Sequence, residues 1–174
     1  MEKVVAIVPA AGAGKRLGLG INKAFAKLAG APLLVHCLHM LEKTKLVTEA
    51  IVVLAPAEVE EGEQLLDRYQ PEYFPALPIK VVAGGKERQD SVANALAAVP
   101  DDAAYIAVHD GARPFAGRAV FERTLAAAKE QGRLLRPWQL KKTLKWGVLV
   151  AWSVPYYTFP THENVTEPRL PLLL

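Results

Sequence analysis

The stretch Val4-Val5-Ala6-Ile7-Val8-Pro9-Ala10-Ala11-Gly12-Ala13-Gly14-Lys15-Arg16-Leu17-Gly18 sets the reading of the whole chain. Its first five residues form a short apolar run, the signature of a strand buried on both faces. Small residues follow from Pro9 to Gly14 and leave backbone N–H groups open to close approach by an anion. Lys15 and Arg16 add two cations beside them. A strand running into such a loop is a phosphate-handling element, with the anion held beyond the strand's carboxyl end. A plain glycine-rich turn with incidental cations is the alternative.

Outward from this element the same pairing repeats up to Gln131. Residues 32–42 predict a helix: Pro32 suits its first turn, and Leu34, Cys37, Leu38 and Leu41 share one face. Residues 50–55 read as a strand closed by Pro56, and residues 58–69 as an acidic surface helix. Residues 79–83 are a third strand, ended by Gly84-Gly85. Residues 90–99 predict a helix with Val92, Ala95, Leu96 and Val99 inward. Residues 105–108 are a fourth strand. Residues 119–131 are a fourth helix, with Phe121, Leu125 and Ala128 on one face. Strands separated by helices predict an α/β fold, a Rossmann-like, mostly parallel sheet with helices on both faces. In such sheets ligands bind beyond the carboxyl ends of the strands. Three of those ends carry polar or glycine-rich loops, at 9–18, 84–91 and 109–115.

A chain of 174 residues, 51% hydrophobic, can bury a real core. No apolar stretch is long enough to span a bilayer. Met1-Glu2-Lys3 leads straight into a strand without a signal-peptide pattern. One cysteine, Cys37, excludes an internal disulfide, and there is no Cys/His metal framework. A cytoplasmic protein without a membrane partner is the expectation. The formal net charge of +3 does not spread over a folded face. Residues 1–131 carry 15 basic and 16 acidic side chains, whereas residues 132–174 carry 6 and 2. The excess sits in the tail and makes no basic stripe, so no nucleic-acid partner is expected. That tail also holds all three Trp residues and five of the 13 Pro residues, and periodicity fades there. The chain therefore divides into an α/β domain at 1–131 and an atypical tail at 132–174.

Three templates test the first loop. In a P-loop the first glycine would fall on Pro9, and Ser or Thr would follow Lys15 where Arg16 stands. In a dinucleotide fingerprint Gly18 is one residue too far from Gly14, and the second strand ends too late for its acidic partner. The third template fits. Residues 8–18, with Asn22-Lys23-Ala24-Phe25 after them, resemble the entry loop of sugar-nucleotide and polyol-phosphate nucleotidyltransferases, P-A-A-G-x-G-x-R followed by P-K-Q-[FY]. Gly84-Gly85-Lys86-Glu87-Arg88-Gln89-Asp90-Ser91-Val92 resembles G-G-x-x-R-x-D-S-V of the 2-C-methyl-D-erythritol 4-phosphate cytidylyltransferase family. His109-Asp110-Gly111-Ala112-Arg113-Pro114-Phe115 resembles H-D-[AG]-A-R-P-F of the same family.

The resemblance implies transfer of a cytidylyl group from CTP to 2-C-methyl-D-erythritol 4-phosphate, with release of pyrophosphate, in non-mevalonate isoprenoid precursor synthesis. It implies that Arg16 and Lys23 act on the triphosphate as catalytic cations. Pro9, Ala10, Ala11, Gly12, Gly14, Gly85, Ser91 and Gly111 would bind the nucleotide, with cytosine read by the 84–91 loop. Asp110, Arg113 and Thr143 would meet the polyol phosphate, Asp110 also helping to hold Mg2+. A homodimer made by an extended arm is implied as well. Read by themselves, Asp110 has the alternative of a turn former, and Asp90 and Ser91 that of helix caps, which can coexist with ligand contact. His109 reads as orienting or packing, and His36 and His39 as surface or boundary residues.

The chain also departs from the family pattern. Asn22 stands in place of Pro and Ala24 in place of Gln, so some positioning of Lys23 is expected to be lost. Lys141-Lys142-Thr143-Leu144-Lys145 resembles K-D-T-x-K only faintly. The tail reads as an incomplete arm and sheet edge of a truncated, internally deleted or frame-shifted relative. Two other activities stay open: a nucleotidyltransferase for ribitol 5-phosphate or another polyol or sugar phosphate, and an inactive CTP-binding remnant.

Overall fold

The computed structural model describes residues 2–12 and 22–130. Along the chain run β1 (Val4–Pro9), a 3-10 turn (Lys23–Phe25), β2 (Lys27–Leu28), β3 (Ala31–Pro32) and α1 (Leu33–Thr44). Then come β4 (Glu49–Leu54), a second 3-10 turn (Pro56–Glu58), α2 (Val59–Tyr73), β5 (Ile79–Ala83), α3 (Arg88–Ala97), β6 (Tyr105–Val108) and α4 (Arg118–Glu130). The long strands form one sheet in the order β5-β4-β1-β6, every pair parallel. β2 and β3 pair separately as a small antiparallel ribbon.

The strand order explains where the helices lie. From β1 to β4 to β5 the chain moves across the sheet in one direction, then returns past β1 to β6. With crossovers of one hand, that reversal must move the last connecting helix to the opposite face. Accordingly, α1, α2 and α4 pack on one face, against Ala6, Val8, Ala50, Val52 and Leu54. α3 covers the other face, setting Val92, Ala95 and Leu96 against Val5, Ile7, Ile51 and Val53. Alternate residues of the same strands serve the two cores, as the period of two in a strand requires. The reversal opens a crevice between β1 and β6, where α/β sheets hold their ligands.

Several element bounds differ from the sequence expectation for identifiable reasons. Pro32 ends β3 as the N-cap of α1 instead of opening its first turn. That helix runs past Glu42 to Thr44, whose hydroxyl donates to the Leu41 carbonyl at 2.6 Å, and Lys45 stops it in the left-handed region at φ 59°. Helix α2 continues through Pro71, which removes a helical N–H. Tertiary contacts hold its last turn: Tyr73 stacks edge-on against His36, His39 and Tyr69, and Phe74 is fully buried. The β2–β3 ribbon carries no periodicity and turns on Ala29 and Gly30, both at positive φ.

Candidate active site

The ladder continues beyond the strands and brings the three loops together. Ala10 N–H donates to the Val53 carbonyl at 2.8 Å, and Gly84 N–H to the Leu54 carbonyl at 2.7 Å. His109 N–H donates to Ile7 at 2.8 Å and Gly111 N–H to Pro9 at 3.2 Å. Pro9 through Gly12 thus lies between the other two loops. A Cβ on Gly84 would stand 3.2 Å from Ala11 Cβ, and one on Gly111 would stand 3.0 Å from Ala10 Cβ. Glycine at both positions lets the loops close on the first. Gly12 is exposed, and among the described residues a Cβ there would meet nothing within 4 Å.

The 84–91 loop is held by its own side chains. Glu87 caps α3, and Asp90 returns its carboxylate to the Glu87 N–H at 3.1 Å, closing a capping box. Ser91 is buried; its hydroxyl accepts from Gly85 N–H at 3.1 Å and donates to the Glu87 carbonyl at 3.1 Å. The Ser91 proton is therefore engaged within the loop, which leaves a lone pair to offer a ligand. Glu87, rather than Asp90 or Ser91, is the N-cap.

The 109–115 loop is built on charge. Arg113 Nε lies 3.1 Å from Asp110 Oδ2, and Arg113 N–H donates to the Asp110 carbonyl at 3.1 Å. Beneath them His109 is 1% exposed, its ring 5.6 Å from that of Phe121. His109 Nε2 stands 2.9 Å from the Arg113 carbonyl, which can only accept, so this nitrogen carries the proton. Nδ1 is buried without a hydrogen-bond partner among the described residues. Burial holds the imidazole pKa below its ordinary value, which favours the neutral ring at neutral pH. Cys37 Sγ donates to the Asp110 carbonyl at 3.6 Å; burial, then the Asp110 charge, pushes its pKa up to about 12, so no thiolate is available as a nucleophile.

Lys23 is exposed on the 3-10 turn that follows the first loop. The turn is capped by Asn22, which sequence reasoning treated only as a lost proline. Its side-chain amide reaches both the floor of the first loop and Glu58, contacts 12 and 36 residues away that no local pattern reveals. The close approach of Gly84 was likewise unassigned, although its place just after a strand was the available signal. Gly14, Lys15, Arg16, Thr143 and the tail lie outside the described residues.

A doubly wound parallel sheet with glycine loops meeting at its reversal point defines the nucleotide-binding α/β class. Within that class, the chain belongs to the 2-C-methyl-D-erythritol 4-phosphate cytidylyltransferase family, whose family model matches residues 4–149. That match continues past Gln131, where the resemblance carried by the motifs ended, as far as residue 149. The enzyme of that name from Bacillus thuringiensis (strain Al Hakam) is 40% identical over 139 residues, covering 80% of this chain and 59% of the relative. The one from Alkaliphilus metalliredigens (strain QYMF) is 38% identical over 145 residues, covering 83% of this chain and 58% of the relative. The crystal structure of 4-diphosphocytidyl-2C-methyl-D-erythritol synthase from Anaerococcus prevotii superposes with a TM-score of 0.60 at 25% identity, covering 74% of this chain and 52% of that one. The chain spans about three fifths of the length of the curated relatives it matches.

Proposed function

We propose that the chain transfers a cytidylyl group from CTP to 2-C-methyl-D-erythritol 4-phosphate and releases pyrophosphate. The observation that carries this reading is the meeting of the three motif loops at one rim, Ala11 beside Gly84 and Ala10 beside Gly111. The attacking group is a phosphate oxygen, already anionic near neutral pH, so no general base is needed. The barrier lies in joining two polyanions and in charge gathering at the α-phosphorus. Positioning and electrostatic stabilisation lower it.

The residues divide that work. Ala11, Gly12 and Gly14 offer backbone N–H groups to the triphosphate over a floor made by Pro9 and Ala10, whose own polar groups are engaged with neighbouring segments, while Arg16 and Lys23 neutralise it. An Arg spans two phosphate oxygens through its planar fork, and a Lys serves as a mobile point charge. Gly85 and Ser91 present the 84–91 backbone to cytosine, and Gly111 packs at the ribose. Arg113, with Thr143, takes the phosphate of the second substrate. Asp110 balances Arg113, so an arriving phosphate competes for a guanidinium that is already oriented.

Mg2+ fits the donor set. Among the described residues no group of three His, Cys, Asp or Glu could cage a metal, whereas Asp110 offers a carboxylate at the sheet's rim. A carboxylate is a hard oxygen donor of the kind that Mg2+ takes. When bound it supplies neutralising charge between phosphates. Asp110 would hold it and Arg113 would then be free for substrate.

Pyrophosphate release by the full chain with CTP and Mg2+ tests the reading, with methylerythritol phosphate and ribitol 5-phosphate offered separately. Turnover with the first is the expected result. Turnover with the second alone would reassign the substrate, and CTP binding without turnover would mark an inactive binding module.

A further inference from the structure

We propose that Asn22 is the positioning residue for Lys23, acting as a strut braced by Glu58; this rests on the reading of Lys23 as a triphosphate contact. Asn22 is 5% exposed, and its amide is used on both ends. Oδ1 accepts from Ala24 N–H at 3.0 Å. Nδ2 donates to the Ala10 carbonyl at 2.6 Å and to Glu58 Oε2 at 2.8 Å. A carbonyl and a carboxylate only accept, so the amide's orientation is fixed by chemistry. Its two hydrogens have two acceptors, which removes the cost of burying them.

Lys23 sits between two anchored neighbours. Asn22 ties it to the floor of the phosphate loop through Ala10, and to the entry of α2 through Glu58. The turn closes on itself through Phe25 N–H to the Asn22 carbonyl at 3.0 Å and Ala26 N–H to the Lys23 carbonyl at 3.1 Å. Phe25 also packs towards α2, where a Cβ on Gly62 would stand 3.8 Å from its ring. The Lys23 backbone is thereby clamped while its side chain stays exposed. Asn22 has φ −61°, a value proline also adopts. A proline ring here would stiffen the turn by itself, whereas this chain draws its stiffness from a carboxylate 36 residues away. The positioning that the Asn22 and Ala24 departures were expected to weaken has its own support.

A double-mutant cycle on the full chain tests the strut, read as kcat and KM for CTP and as melting temperature. Asn22→Ala is expected to lower kcat about tenfold, since a misplacement near 1 Å far from the chemistry has effects of that order or larger. Glu58→Ala is expected to lower kcat about threefold, and the double variant to be no slower than Asn22→Ala alone, the non-additivity of linked residues. Glu58→Gln keeps an acceptor and should recover most of what Glu58→Ala loses. In an Asn22→Pro background Glu58→Ala should change nothing. Additive losses, or lower melting temperature with kcat intact, would overturn the strut. Should the unaltered chain bind CTP yet never turn over, the functional reading fails by itself. The strut is then judged by amide exchange at Ala24, faster in both alanine variants if it exists and unchanged if it does not.

Discussion

The 84–91 and 109–115 loops leave the same sheet, yet they are held in opposite ways. In the first, side chains satisfy the loop's own backbone: Glu87 and Asp90 close a capping box, and Ser91 pins Gly85 to Glu87. In the second, Asp110 and Arg113 face each other as an ion pair, over a buried imidazole. The difference matches what each would bind. A neutral, planar base is best read by a fixed backbone whose side chains are already engaged. A phosphate needs a charge that can be released to it.

The contrast is open to test from both sides. The largest effect is expected from Arg113→Ala. Turnover should fall about 100-fold or more, as when an oriented charge-stabilising donor is removed. Stability should move by no more than about 0.5 kcal/mol, because the side chain is half exposed. Pyrophosphate release and urea unfolding measure the two, and unchanged turnover would reduce the pair to a surface contact. Next comes Gly85→Ala, whose Cβ would collide with Asp90 Cβ and open the capping box. A loss of about 1–3 kcal/mol is expected in unfolding, with a raised KM for CTP. Equal stability would show that the loop yields more easily than its contacts suggest. Ser91→Ala removes two hydrogen bonds and should destabilise by about 1–2 kcal/mol. Its KM for CTP should rise more than kcat falls; the reverse pattern would give Ser91 a part in the chemistry.

The smallest effect concerns His109. Burial lowers its pKa in the folded chain below the ordinary 6.5, so the unfolded chain binds this proton more tightly. The contribution to stability is complete above pH 6.5 and declines as pH falls below that value, levelling off under the folded pKa. His109→Gln should flatten this part of the profile in urea titrations run at a series of acidic pH values. An unaltered slope would assign it to the carboxylates.

What could be read from sequence followed from locality. Ile79–Ala83 and Tyr105–Val108 were bounded correctly because an apolar run ended against polar or glycine residues. The inward faces of α1 and α3 followed from helical spacing, and Leu34, Cys37, Leu38, Leu41, Val92, Ala95 and Leu96 are all buried. The three loops were placed at strand ends by the α/β pattern alone. The failures needed partners far along the chain. The helix expected over 58–69 runs on through Pro71 to Tyr73, which meets His36 and His39 across the α1–α2 interface. Asn22 looked like a missing proline because Ala10 and Glu58 are not its sequence neighbours. His109 gave no sign that one ring nitrogen would lack a partner among the described residues.

The parallel ladder does not stop where the strands do. Ala10, Gly84 and Gly111 each still donate to an adjoining strand or its end, at Val53, Leu54 and Pro9. The rim thus inherits the stiffness of the sheet at these points, and Gly84 and Gly111 are not hinges. Thermal motion at these three amides should resemble that of the core strands and not that of surface turns. Such a floor would spend little ordering entropy on capturing a flexible triphosphate, leaving conformational loss chiefly to the guest.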